Sequence, residues 1–237
     1  MKFAWAALLT ALLMSCAPVR AEDATLTARV EVAGEHVADS TKAQDVVVWL
    51  SPVDTRAPMK PFPTSHWRLT QHNKSFEPHL LVVPVGAVVQ FPNRDPFFHN
   101  VFSLFEGKRF DLGLYEAGTT REVAFDRPGV SYIFCNIHAE MSAVVIALDS
   151  PYFGISNRKG EIVIPQVPPG RYHMRVWYEA ALPATLDAMT HEVNITADSS
   201  TLGVLQIPGV VAMDAHKNKY GMDYEPPAPN SPGYNHQ

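Results

Sequence analysis

Residues 24–33, ATLTARVEVA, place Leu26, Ala28, Val30 and Val32 at every second position with polar residues between them, the period of a half-buried strand. QDVVVWLS at 44–51 predicts a second strand. Residues 52–75 then turn to Pro, Lys, His and Ser without periodicity, which predicts a linker or long loop. From Phe76 short apolar runs return at 79–83, 87–91, 98–103, 120–125, 130–134 and 141–148. Turn formers punctuate them: Pro84, Gly86, Pro92-Asn93, Asp95-Pro96, Gly107, Gly118 and Pro128-Gly129. Six short strands in so little chain predict a sandwich or Greek-key barrel. After Ser150-Pro151 the pattern restarts at 152–155, 161–164, 171–178, 191–195 and 201–207, with turns at 157–160 and at Pro168-Pro169-Gly170.

The fold class expected is therefore all-β, in two sandwiches. Residues 208–237 hold five prolines, three glycines and three tyrosines with little aliphatic content, a tail unable to build a core of its own. Such a tail is expected to lie along its parent or to stay without structure. Docking on a partner, or metal capture through Met213, Met222, His216 and His236, is the alternative. The strand ending at Cys135 is apolar on both faces, Ile133 and Cys135 on one and Val130, Tyr132 and Phe134 on the other. A sandwich strand usually needs one apolar face, so the second is expected to be covered by residues 24–56 and 150–207.

Composition and charge narrow the function. The chain is 237 residues long with formal charge −5; the first 21 residues hold only Lys2 and Arg20, so the remainder carries 17 basic and 24 acidic residues, or −7. That sign disfavours a nucleic-acid surface. The apolar run from Phe3 to Met14, followed by Val19-Arg20-Ala21, reads as an export signal cleaved after Ala21. Leu13-Met14-Ser15-Cys16 also resembles a lipobox, so a lipid anchor at Cys16 is the alternative. No later run reaches the roughly 20 apolar residues of a spanning helix. The expected location is the bacterial periplasm, soluble or lipid-anchored.

With Cys16 removed or acylated, Cys135 has no disulfide partner, and its neighbours decide its use. Cys135, His138 and Met141 follow one another at three-residue spacing at the end of a predicted strand, a thiolate, an imidazole and a thioether on one loop. His99, on an otherwise apolar strand 36 residues upstream, supplies a second imidazole. Two imidazoles, one thiolate and a weak axial Met form the donor set of a type 1 copper centre. An inert buried thiol leaves His138 and Met141 without a role. A structural zinc would want a harder or more anionic donor than Met141. A Cys/His nucleophile pair lacks any sign of an oxyanion hole or third partner.

Phe76-x-Pro78, Leu80-x-Val82, Gly86, Val88, Phe91, Asn93, Asp95, His99-Asn100-Val101 and Cys135-x2-His138-x2-Met141 together resemble the cupredoxins, the plastocyanin and amicyanin family, over residues 59–149. The short ligand loop is most similar to that of amicyanin, although no Pro flanks His138. The whole chain resembles exported proteins described as methylamine utilization or plastocyanin-like proteins. The resemblance implies one type 1 copper ion held by His99, Cys135, His138 and Met141, with Asn100 helping to clamp the ligand loop. Tyr152-Phe153-x-Ile155, Gly160-x-Ile162-x-Ile164 and Val167-Pro168-Pro169-Gly170-x-Tyr172 are similar to the carboxypeptidase regulatory-like β-sandwich. That implies a discontinuous second domain, residues 22–58 and 150–207, into which the first is inserted; two separate sandwiches are the alternative. The implied function is non-enzymatic: single electrons carried between redox proteins, a cytochrome or dehydrogenase, by Cu(II)/Cu(I) cycling. Copper storage, delivery or sensing is the alternative.

Overall fold

The computed structural model describes residues 22–33, 43–54, 60–62, 65–104, 107–208 and 216–224. The export signal, Cys16, Met213 and His236 lie outside the described residues. Among the described residues the strands are β1 (Ala24–Ala33), β2 (Val47–Pro52), β3 (Thr70–His72), β4 (Ser75–Glu77), β5 (Leu80–Pro84), β6 (Ala87–Pro92), β7 (His99–Ser103), β8 (Phe110–Tyr115), β9 (Thr120–Phe125), β10 (Gly129–Cys135), β11 (Ser142–Leu148), β12 (Phe153–Ile155), β13 (Glu161–Val167), β14 (Gly170–Trp177), β15 (His191–Ile195) and β16 (Thr201–Pro208). A short helix, α1 (Pro183–Ala188), starts on a proline, whose fixed φ suits a first helical turn. No helix among the described residues is long and apolar enough to cross a membrane. The class is all-β, as expected.

The strands form stacked sheets with apolar layers between them. The β13-β1-β16 sheet faces β12-β2-β14-β15 across a core that includes Leu26, Val30, Val48, Leu50, Ile162, Ile164, Met174 and Val176. The β5-β11-β10-β7-β8 sheet encloses a second core with the β6-β9 and β3-β4 pairs, built on Leu69, Val89, Phe91, Tyr115, Ile133 and Val145. A third cluster joins the stacks: Val47, Trp49, Phe153 and Trp177 meet Val144, Ile146, Leu148, Val130 and Tyr132. Strands β2 and β11 therefore bury both faces, Val48 and Leu50 against one layer and Val47 and Trp49 against the other, which accounts for their unbroken apolar runs. His79 closes the rim of this junction, its Nε2 2.6 Å from Glu179 Oε2 and its Nδ1 donating to the Ser142 carbonyl at 3.1 Å.

Three elements differ from the expectation. Residues 70–75, read as the end of a linker, belong with Phe76 and Glu77 to the β3-β4 hairpin, and Leu69 beside it is fully buried. Its turn residues Asn73 and Lys74 both take positive φ, 52° and 55°, the left-handed pair that a two-residue hairpin needs. Strand β8 was not foreseen because it is a partly exposed edge strand broken by Gly113 at φ 67°. Phe134 shares the outer face of β10 with Val130 and Tyr132, but it is stacked on His216 of the tail, centroids 4.2 Å apart.

Candidate metal centre

Strand β7 is buried at all five positions, because it lies between β10 and β8 with cover on both faces. Antiparallel pairing of Phe134 with Phe102 and Cys135 with Val101 brings the start of β7 beside the end of β10. The loop from Asn136 to Met141 turns tightly back into β11: Cys135 N–H donates to the Met141 carbonyl, and Met141 N–H to the His138 carbonyl, each at 3.2 Å. Asn136 N–H donates to the Asn100 carbonyl at 2.8 Å, tying the loop to β7. Asn100 thus clamps the loop through its main chain, while its side-chain amide donates to Asp111 Oδ1 at 2.6 Å.

This geometry brings His99, Cys135 and His138 together. Nδ1 of His99 lies 3.5 Å from Cys135 Sγ and Nδ1 of His138 lies 3.6 Å from it. The donor atoms of the three all fall within 4.8 Å of one another. His99, Cys135 and Met141 are wholly buried and His138 is 5% exposed. Met141 belongs to the same apolar cluster as Cys135 and closes the loop through its main chain.

Burial dominates the protonation of the group. It pushes His138 down to about 4, helped by the neighbouring His99, and holds His99 below its ordinary value against the opposing pull of Asp95. Both rings are therefore neutral at neutral pH, with lone pairs to offer. Burial pushes the Cys135 thiol up, although the N–H groups of Asn100, Ile137 and His138 point at the sulfur and favour its anion. Two neutral imidazoles and a thiol that needs a positive charge to ionise fit a thiophilic metal cation. Among the described residues, no carboxylate joins the three clustered donors.

Asp95 and Phe97 support the rings, roles that spacing in the sequence did not reveal. Asp95 Oδ2 accepts from His99 Nε2 at 2.8 Å, which fixes the proton on Nε2 and leaves Nδ1 free to face the sulfur. The same carboxylate accepts from the N–H groups of Asn73 at 2.6 Å and Lys74 at 3.0 Å, the turn of the β3-β4 hairpin. Burial alone would raise its pKa, but the Lys74 N–H, the His99 ring and the Asn73 N–H outweigh it and keep it ionised. Phe97 packs on both rings, its centroid 5.4 Å from His99 and 5.5 Å from His138. An acid four residues before the histidine, in the Asn93-Arg94-Asp95-Pro96 turn, was the available signal. Among the described residues, His66, His72 and the tail's His216 do not belong to this group.

No family model matches the chain, and no curated protein matches it. Among solved structures, it is similar to a purple cupredoxin from Nitrosopumilus maritimus at 23% identity and TM-score 0.32, over 35% of this chain and 99% of that one. It is also similar to a variant of amicyanin in its Cu(I) form, at 17% identity and TM-score 0.34, over 43% of this chain and 98% of that one. A copper-containing nitrite reductase from Thermus scotoductus shares 22% identity at TM-score 0.34, over 50% of this chain but only 28% of its own length.

Proposed function

We propose that the protein is a one-electron carrier whose single type 1 copper ion would be held by His99, Cys135 and His138, with Met141 as a weaker fourth donor. The observation that carries the proposal is the convergence of two Nδ1 atoms on one buried thiol sulfur, at 3.5 and 3.6 Å. Bound there, copper would supply a reversible Cu(II)/Cu(I) couple. The chain's own residues supply position: β7 and β10 hold His99 and Cys135 on adjacent paired strands, Asp95 orients the His99 ring, and the loop hydrogen bonds fix His138. A site built so rigidly needs little rearrangement when its charge changes. Its aromatic and aliphatic walls exclude water, and His138, the least buried of the four, is the shortest route to a partner.

Burial favours electron transfer over copper delivery. Handing a metal to an acceptor requires donors an incoming ligand can reach, and three of these four are wholly enclosed. On the export-signal reading of residues 1–21, the carrier works outside the cytoplasm, soluble or tethered at Cys16, with redox proteins as partners and no substrate turnover. The test is a visible spectrum of the purified protein after addition of Cu(II). An intense thiolate-to-copper band in the wild type, absent from Cys135→Ser at unchanged fold, is the expected result. A copper-loaded wild type without that band refutes the proposal.

A further inference from the structure

Residues 216–224 do not trail into solvent. Tyr224 donates its hydroxyl to the Cys135 carbonyl at 2.7 Å and lies 3.2 Å from His216 Nδ1. The His216 ring stacks on Phe134, the residue before Cys135, and stands edge-on to Tyr224 at 5.2 Å. Lys219 N–H donates to the Asn136 side chain at 2.9 Å, and Lys219 Nζ pairs with Asp111 Oδ2 at 2.9 Å. The other oxygen of Asp111 accepts from Asn100. The segment is itself braced: Asn218 Oδ1 accepts from the N–H groups of Tyr220 and Met222, and the main chains of Asn218 and Met222 bond at 2.9 Å.

These contacts fall on Cys135, on the residue to each side of it, and on the Asn100-Asp111 pair next to His99. We propose that residues 216–224 form a strap that positions the metal-binding loop, with Tyr224 and Lys219 as its two anchors. The composition of the tail hides this, since the strap uses one aromatic stack and polar contacts to main-chain groups instead of a periodic apolar face. The Cys135 carbonyl lies at the last residue of β10, where the chain leaves the strand for the ligand loop. The Tyr224 hydroxyl occupies that carbonyl and keeps the Cys135–Asn136 peptide from turning, so the Ile137 and His138 N–H groups that follow it in the loop stay aimed at the sulfur. The O–H dipole also presents its positive end to the main chain of the thiolate donor, which favours the more reduced, electron-richer state of the centre.

The inference rests on the copper reading for its electronic part but not for its mechanical part, and two measurements on the full chain separate them. In the metal-free protein, amide exchange at residues 136–138 is compared among wild type, Tyr224→Phe, and Met222→Leu, an exposed side chain of the same segment, as a control. Tyr224→Phe is expected to exchange about five- to tenfold faster there, the equivalent of one ordinary hydrogen bond lost, with β1 and β14 unchanged and Met222→Leu matching wild type. Equal rates at 136–138, or acceleration spread over both cores, overturns the strap. In copper-loaded protein, Tyr224→Phe is expected to have a lower reduction potential than wild type and Met222→Leu the same one. A Tyr224→Phe potential identical to wild type overturns the electronic part. A wild type that stays colourless with copper sinks the copper reading alone, and the exchange result still decides the strap.

Discussion

Asp95 joins the hairpin turn to the metal-binding ring, and replacing it separates the two contributions. Its Oδ1 accepts from Asn73, and its Oδ2 from both Lys74 and His99. In Asp95→Asn the amide does best with its oxygen in the Oδ2 place, keeping two bonds and setting NH2 against the Asn73 N–H. That leaves one buried donor without an acceptor, a loss of about 1–3 kcal/mol, and the two remaining bonds lose their charge assistance. The turn compounds the loss, since Asn73 and Lys74 at φ 52° and 55° hold a conformation that disfavours L-residues by roughly 1–2 kcal/mol each without compensating contacts. Asp95→Ala removes both acceptor oxygens, and with them all three hydrogen bonds, and frees the His99 ring to turn or change tautomer. Denaturant unfolding of the metal-free variants measures the first effect, and copper titration against a competing chelator the second. The expectation is about 1–3 kcal/mol of destabilisation in Asn, more in Ala, and a copper affinity lowered about 10- to 100-fold in Ala, the usual range for an outer partner of a ligating histidine. An Asn variant within about 0.5 kcal/mol of wild type, together with an Ala variant of unchanged copper affinity, would refute the linkage.

Three further outcomes are expected. Met141→Gln offers a harder donor that favours Cu(II), so the reduction potential measured by redox titration should fall while copper stays bound; release of the copper would argue against an axial role. Glu179 raises the pKa of His79 above 6.5 through their hydrogen bond, so the stability it adds is fully present below that value and is lost as pH rises through the folded-state pKa. The stability difference between wild type and Glu179→Gln should therefore be larger at pH 6 than at pH 9, and a difference independent of pH would exclude the ion pair as its source. Trp177→Ala empties a buried place in the layer between the two stacks and should cost about 3–5 kcal/mol by denaturant unfolding. Because that layer lies behind β11, across the sheet from the His99 cluster, the spectrum of the copper-loaded variant should match wild type.

Local patterns carry much of this molecule. The alternation in residues 24–33 and the runs before Leu148 specify strands because side-chain direction repeats every two residues and needs no distant partner to be read. The turn at 157–160 is equally local: Asn157 Oδ1 accepts from the Lys159 and Glu161 N–H groups, and Gly160 takes the positive φ of 74°. Cys135, His138 and Met141 were readable as a group because all three sit on one short loop. Other features exist only once the sheets are stacked. The order β5-β11-β10-β7-β8 is what sets His99 against Cys135, a contact across 36 residues that spacing suggests but pairing decides. The β3-β4 hairpin, hidden in a Pro- and Lys-rich stretch, is held at its turn by a carboxylate about twenty residues downstream. Residues 216–224 carry too few apolar side chains to show any period, and their contacts are with Cys135, Asn136 and Asp111, groups about a hundred residues away in sequence. A sequence displays what a side chain does to its own backbone; which buried carbonyl or carboxylate it will meet is settled only when long-range strand pairing has brought the two together.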